Sequence, residues 1–436
     1  MVTGLYAKQY IQKLRTPAEA ALLIRSGNRV EYGFAGSFPE TFDSALAERR
    51  DGLKNVSVYG AFAVRPVQVV EKDPERAAFT YNSWLCSEIE RRYISEGRAF
   101  SVPTCVGSYS PSYKRRSCHP DFAVVKVGPI DENGFFPFGT TNGPLNDIFS
   151  SAKHIIVEVC DEMPLIKNHE ESSIHISKVD YIIEGNASLA VVNKKYPSDR
   201  DIAAAKKVMP YLYDGVSLNL SEGKALDVLG QLIADSDIKD LGMHTELLSE
   251  SFLPILQAGK ISNIHKSVNT GISIFSFCLG SCELYNFINR NENIASAQFG
   301  YISRADIIKE INNYISIGSC TACDLHGLTF TNGYRIHSPF YEAENGSAFV
   351  VMPSVTEDID GKLYSNIIPD FRNVSEVEVP LDSGPSIVTE FGVAEMLGKN
   401  TWERAEAVIN IAHPDFREAL ISAAEKQKIW RASNKR

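Results

Sequence analysis

No window of this 436-residue sequence holds an apolar run long enough to span a bilayer. The first residues, Met1 to Leu14, lack the apolar core of a secretory signal. No Lys/Arg run interrupts a net charge of −10, which speaks against nucleic acid or an acidic membrane surface as a partner. The eight cysteines are thinly spread among apolar, strand-like stretches, so reduced thiols in a cytoplasmic protein are expected. Two close pairs, Cys278 with Cys282 and Cys320 with Cys323, supply the number of thiolates a zinc site needs. Both pairs read as strand, where neighbours face opposite sides, so buried free thiols and no metal are expected. No low-complexity linker is present either. What remains, 44% hydrophobic and 22% charged, is ordinary globular composition, and the length suits two domains with their own cores.

A helix–strand–loop–helix–strand rhythm opens the chain. Thr16-Pro17-Ala18-Glu19 carries a capping-box pattern with Pro at the first helical position, and the helix is expected to run to Ile24. Arg29 to Phe34 alternates as a strand. Ala35-Gly36-Ser37-Phe38-Pro39 forms a small-residue loop, Glu40 to Arg49 a helix and Val56 to Tyr59 a strand. The same rhythm returns with a helix at Asp201 to Met209, a strand at Val216 to Leu220, the loop Ser221-Glu222-Gly223, a helix at Ala225 to Ile233 and a strand at Leu241 to Met243. Gly27 pairs with Gly215 in this repeat. Such a repeat predicts two similar open α/β domains with mostly parallel sheets, residues 1–192 and 193–436, facing across a cleft.

Thr245 has the chemistry of an N-cap, which makes Glu246 the expected first residue of a helix continued by Leu248, Phe252 and Ile255 and stopped at Gly259. The equivalent position in the first half is Ala61, so only the second half offers a carboxylate at the carboxyl end of its strand, where open α/β sheets place their chemistry.

Gly242-Met243-His244-Thr245-Glu246 resembles a segment of the class I coenzyme A transferases, nearest to the acetyl-CoA hydrolase/transferase family. Val127 to Phe135, Ile155 to Val159, Ile174 to Asp180, Val388 to Ala394 and Ile409 to Arg417 agree with that family in the same order. The resemblance implies a CoA-transferase or ribose-phosphate-isomerase-like fold, with Glu246 in the C-terminal domain. It implies that Glu246 attacks an acyl-CoA to give an acyl-glutamyl anhydride, then a glutamyl-CoA thioester. It further implies an oxyanion loop at Gly36 and Ser37, and an acyl pocket near Asn82, Trp84 and His244. CoA enters as a substrate, no cofactor is held permanently, the partners are an acyl-CoA and a small carboxylic acid, and a homodimer or larger homo-oligomer is expected.

Three stretches depart from the family's pattern. Its Gly-rich segment is replaced by Ile336 to Ser347, with one glycine; Ser221-Glu222-Gly223 places an acid in the loop of the second half; and Ser303-Arg304-Ala305 stands where an Asn-x-Pro segment is usual. In the first of these, Asn345 and Gly346 are expected to supply a second oxyanion N–H, while Phe340 and Tyr341 cover the acyl end of the cleft and exclude water. Glu342 and Glu344 argue against that loop lining a phosphate channel. A thioester hydrolase using the same Glu, or a non-catalytic CoA-binding paralogue, are the alternatives.

Overall fold

The computed structural model describes residues 5–104, 109–114, 119–168, 171–192, 196–330, 340–371 and 384–431. Two compact units emerge. One gathers residues 1–193 with 246–248 and 272–304; the other gathers 194–245, 249–271 and 305–436. The first run of the first unit ends at residue 193, where the sequence reading divides the chain after residue 192. The second half is not one domain, however, and Glu246 is grouped with the first unit. A single linear cut fails because the strand Gly242–Leu248 is divided between the two.

In the first unit a seven-stranded sheet has Arg29–Phe34 near its centre, flanked by Val56–Ala61 on one side and Phe122–Val127 on the other. All six pairings in it are parallel, and Phe122–Val127 is buried throughout, as a strand covered on both faces must be. In the second unit Ser217–Leu220 is the counterpart, paired in parallel with Gly242–Leu248 and with Tyr314–Ser319. Tyr314–Ser319 pairs in parallel with Ser347–Val351, which pairs in parallel with Ser386–Thr389, and the edge strand Gly392–Ala394 runs antiparallel to Ser386–Thr389.

The internal repeat extends to single hydrogen bonds. Gly27 and Gly215 adopt φ of 83° and 81°, and their N–H groups donate to Lys54 O and Lys239 O at 3.0 and 3.1 Å. Asn55 and Asp240, one residue after those acceptors, are both left-handed, with φ of 55° and 56°. Each pair closes the same turn before the same parallel strand, and glycine tolerates that φ without a Cβ clash.

Local signals hold where they are self-contained. The Thr16 capping box is formed, with Pro17 opening the helix, although the helix ends at Ala21 rather than Ile24. The second repeat's helices form at Asp199–Val208 and Lys224–Asp235. Ile294–Ser296 is a short strand, and Phe299–Ile302 is a helical turn. Cys282 is exposed at the start of the helix Cys282–Ile288 rather than in a strand, whereas Cys278, Cys320 and Cys323 are buried free thiols. Among the described residues no helix is long and apolar enough to cross a membrane.

Candidate active site

Glu246 is a strand residue, not the first residue of a helix. The strand Gly242–Leu248 is buried along its length, and helix resumes only at Glu250–Phe252 and Leu253–Gln257, with Gly259 at φ 66° just beyond. The expected N-cap fails because the Thr245 hydroxyl is used across the sheet, donating to Asn219 Oδ1 at 2.7 Å on the neighbouring strand. Asn219 in turn donates to Ser316 Oγ at 3.3 Å, so three adjacent strands are linked by one polar row. With Thr245 spent sideways and Leu247 and Leu248 buried, the extended conformation persists two residues past Glu246.

Within the first unit, Glu246 is 2% exposed, and Ser303 Oγ donates to its Oε1 at 2.6 Å. That hydroxyl sits at the end of the helical turn Phe299–Ile302. Phe299 N–H donates to Gly143 O at 3.2 Å, and its ring packs edge-on against Phe34 and Phe277, with centroids 5.2 and 6.0 Å away. Phe62, left-handed at φ 53°, stacks on Phe34 at 6.0 Å. The polar contact to the carboxylate is therefore carried on an aromatic, water-poor support.

The loop Ala35–Ser37 is a single 3-10 turn, entered through Ala35 at φ 47°. Ser37 Oγ donates to Phe34 O at 2.7 Å, which fixes that side chain to its own turn. A Cβ on Gly36 would lie 2.5 Å from Thr140 Oγ1, so the loop closes tightly on the segment Thr140–Asn142. That segment runs along the strand Ser273–Cys278, with Cys278 N–H donating to Thr140 O at 2.7 Å and Asn142 N–H to Ser276 O at 2.9 Å. The N–H of Leu279, the residue after that strand, donates to Leu248 O at 3.1 Å. Gly36, Thr140–Asn142 and the end of the Glu246 strand are thus successive neighbours in one unit. Asn142 is fully buried, and its carboxamide Nδ2 and Oδ1 have no hydrogen-bond partner among the described residues.

Asn82 and Trp84 also belong to the first unit, in a different network. Trp84 Nε1 donates to Glu31 Oε1 at 2.7 Å, and Tyr113 OH donates to the same oxygen at 2.6 Å. Arg29 lies 3.5 Å from the other Glu31 oxygen and over the Tyr59 ring at 3.7 Å. Burial pushes the Glu31 carboxyl up, opposed by the Tyr113 hydrogen bond and then by the Arg29 charge. Asn82 donates to Thr80 O at 3.1 Å along its own strand, and Arg92 pairs with Glu71 at 3.4 Å.

The remaining expected residues lie in the second unit. His244 is buried edge-on to Tyr314, whose OH donates to His244 O at 3.2 Å. Phe340 is buried with Ile308, Ile311, Tyr314, Ala343 and Ala348 in a core cluster of that unit, while Tyr341 is 66% exposed. Gly346 N–H donates to Ala343 O at 3.0 Å, and a Cβ there would meet Phe340 O at 1.8 Å. The single glycine of this loop therefore serves a tight turn, and its N–H is committed to that turn rather than to an oxyanion. Asn345, left-handed at φ 57°, donates through Nδ2 to Asn313 Oδ1 at 3.2 Å. Residues 336–339 of the same stretch lie outside the described residues.

The acetyl-CoA hydrolase/transferase models match at both ends, the N-terminal domain over residues 3–193 and the C-terminal domain over residues 280–424. The butyryl-CoA:acetate CoA-transferase of Anaerostipes caccae is 36% identical, covering 99% of this chain and 100% of that one. The chain belongs to the acetyl-CoA hydrolase/transferase family. Within that family, the 4-hydroxybutyrate coenzyme A transferase of Clostridium kluyveri is 28% identical over 96% of this chain and 98% of its own. Among solved structures, RipA from Yersinia pestis superposes with a TM-score of 0.86 at 28% identity, covering 97% of this chain and 99% of that one. The 4-hydroxybutyrate CoA-transferase from Porphyromonas gingivalis gives 0.77 at 26%, covering 97% and 100%. Reasoning from the family pattern registered Ser303 only as a departure from it, and overlooked Asn142. The signal available for the latter was Thr140-Thr141-Asn142-Gly143, an uncharged polar run between apolar stretches.

Proposed function

We propose that this protein exchanges coenzyme A between a small acyl-CoA and a small free carboxylate, with Glu246 as the nucleophile. The observation that carries this reading is Glu246 itself: a carboxylate nearly sealed from water on a sheet strand, held at one oxygen by a hydroxyl. Exchanging one carboxylate for another on CoA is close to thermoneutral, so no ATP or metal is required. A carboxylate needs no general base to attack. Glu246 Oε2 adds to the thioester carbonyl and CoA thiolate leaves, giving an acyl-glutamyl anhydride. The thiolate then attacks the Glu246 carbonyl carbon and expels the first carboxylate, leaving a glutamyl-CoA thioester. The acceptor acid runs these steps in reverse.

Both intermediates are destroyed by water, so enclosure favours transfer over hydrolysis. A thiol mechanism at Cys320 is disfavoured, because burial pushes its pKa up to about 12. Gly36 is the backbone donor we assign to the acyl oxyanion, on the strength of its loop's neighbourhood with Thr140–Asn142 and the Glu246 strand. We place the enzyme in the cytoplasm as a homodimer or larger homo-oligomer, with CoA as substrate and no resident cofactor; light scattering of the purified protein reads the assembly.

The test is covalent trapping. Incubation with butyryl-CoA and no acceptor should leave CoA on the peptide that contains Glu246, and borohydride should then inactivate the enzyme unless acetate is supplied. Glu246→Gln should lose both the adduct and at least about 10³-fold in exchange rate, with the fold intact. An adduct on a cysteine peptide overturns the assignment, and stoichiometric free CoA without an acceptor would make the enzyme a hydrolase.

A further inference from the structure

The first unit holds a cavity of about 570 Å³ that none of the residues placed around Glu246 lines. Its floor is apolar. Phe149 comes from the helix Leu145–Ser151, Ile155 from the strand His154–Val159 and Ile174 from the strand Ser173–His175, and all three are buried. The Phe135 ring, 38% exposed, stands edge-on to His175 in the same lining, with centroids 4.8 Å apart. Glu171 and Lys178 bring one charge of each sign to the wall. Both are exposed, and among the described residues neither side chain pairs with the other or with any neighbour.

We infer that this cavity is a binding site for a free aromatic α-amino acid. The ring lies on the apolar floor, the carboxylate meets Lys178 and the ammonium meets Glu171. Nothing in this depends on the role of Glu246. Both charges are presented from backbone that is already fixed. Glu171 is left-handed at φ 40°, and its carbonyl accepts from Asn146 Nδ2 on the facing helix. The next carbonyl, that of Ser172, accepts from Phe138 N–H at 2.9 Å. Lys178 ends the 3-10 turn Ile176–Lys178, which is held by Ile176 N–H on Gly134 O at 2.8 Å. A non-glycine residue at positive φ costs free energy and persists where its surroundings enforce it, a condition that recurs at ligand clamps.

The class of ligand follows from the lining. A cavity of this size suits a small molecule with room for water beside it. An anion alone would meet Lys178 but be repelled by Glu171, and an amine alone would meet the converse; a zwitterion satisfies both. A phosphate or a CoA diphosphate, with more than one negative charge and one cation to receive it, is the worst match. The floor selects the side chain, since a ring packs edge-on or offset against Phe135 and Phe149 and gains from both contacts.

Calorimetric titration of the purified full chain tests this with three probes: L-tryptophan, tryptamine, which lacks the carboxylate, and indole-3-propionate, which lacks the ammonium. Tryptophan should bind saturably at one site per chain, and each analogue at least about tenfold more weakly. Glu171→Gln should weaken tryptophan by about tenfold while leaving indole-3-propionate no weaker, and Lys178→Gln should do the same to tryptophan while sparing tryptamine. Both side chains are exposed, so both variants should fold as the wild type does. No saturable binding of tryptophan up to about 10 mM overturns the inference. So does either analogue binding as tightly as tryptophan. Tryptophan binding that neither variant weakens would place the ligand elsewhere on the chain and overturn it equally.

Discussion

Asn142 shows what a single buried side chain reveals. Its backbone N–H is bonded to Ser276 O, so the main chain is satisfied whatever the side chain does. The carboxamide, fully buried and without a partner among the described residues, forfeits hydrogen bonds it would make in water, a penalty of about 1–3 kcal/mol. Leucine has nearly the same shape and nothing to desolvate. Asn142→Leu should therefore fold with a melting temperature equal to or above that of wild type, measured by calorimetry without substrate. A loss of about 2 kcal/mol or more would show the carboxamide bonded in solution, for instance to an ordered water.

At the scale of elements, the turn after Phe340 separates packing from exposure within two adjacent residues. Phe340 fills a cluster with Ile308, Ile311 and Tyr314, and truncating a buried Phe costs about 3–5 kcal/mol through lost transfer energy and the cavity left behind. Tyr341 stands mostly in solvent, where substitutions stay within about 0.5 kcal/mol. Phe340→Ala should lower the urea midpoint sharply while Tyr341→Ala leaves it unchanged. Neither should alter the ratio of hydrolysis to transfer in the folded enzyme. A changed ratio in Tyr341→Ala would return this loop to the substrate. The strand of Glu246 carries a related lesson: an N-cap pattern is only an offer of a hydroxyl, and here Asn219 takes it.

Across the whole molecule, two buried charges give the two units opposite responses to pH. In the first unit, Asp43 accepts from Tyr32 OH and from the Gln68 and Val69 N–H groups, yet burial dominates and raises its pKa to about 7. A carboxyl raised above its unfolded value gives stability that is complete below about pH 4 and lost as pH climbs through 7. In the second unit, Lys266 donates to Met243 O at 2.9 Å beside the Glu246 strand, and burial lowers its pKa to about 7. A lysine so depressed contributes stability present above about pH 10 and lost as pH falls through 7. Stability followed against pH should show this directly. Between pH 4 and 7 the wild type should lose ground to Asp43→Asn as pH rises; between pH 10 and 7 it should lose ground to Lys266→Met as pH falls. Each slope is at most about 1.4 kcal/mol per pH unit. Parallel curves for wild type and either variant would mean that the group titrates normally.

The sequence by itself determined whatever rests on local chemistry. Thr16 and Glu19 cap one another three residues apart, Gly27 and Gly215 permit a left-handed turn, and the strand Arg29–Phe34 has the bounds its residues predict. The family pattern around Glu246 was legible for the same reason, since five consecutive residues carry it. Tertiary structure alone decided what those residues do. Whether Thr245 caps a helix depends on Asn219, twenty-six residues earlier on another strand. Whether Gly346 can offer its N–H depends on Ala343 and on the carbonyl of Phe340. The contact at the centre of the proposed chemistry joins Glu246 to a serine 57 residues away, through a helical turn too short to announce itself by periodicity. Side-chain polar groups take whichever partner the fold brings first, and sequence spacing cannot rank partners that lie on different strands.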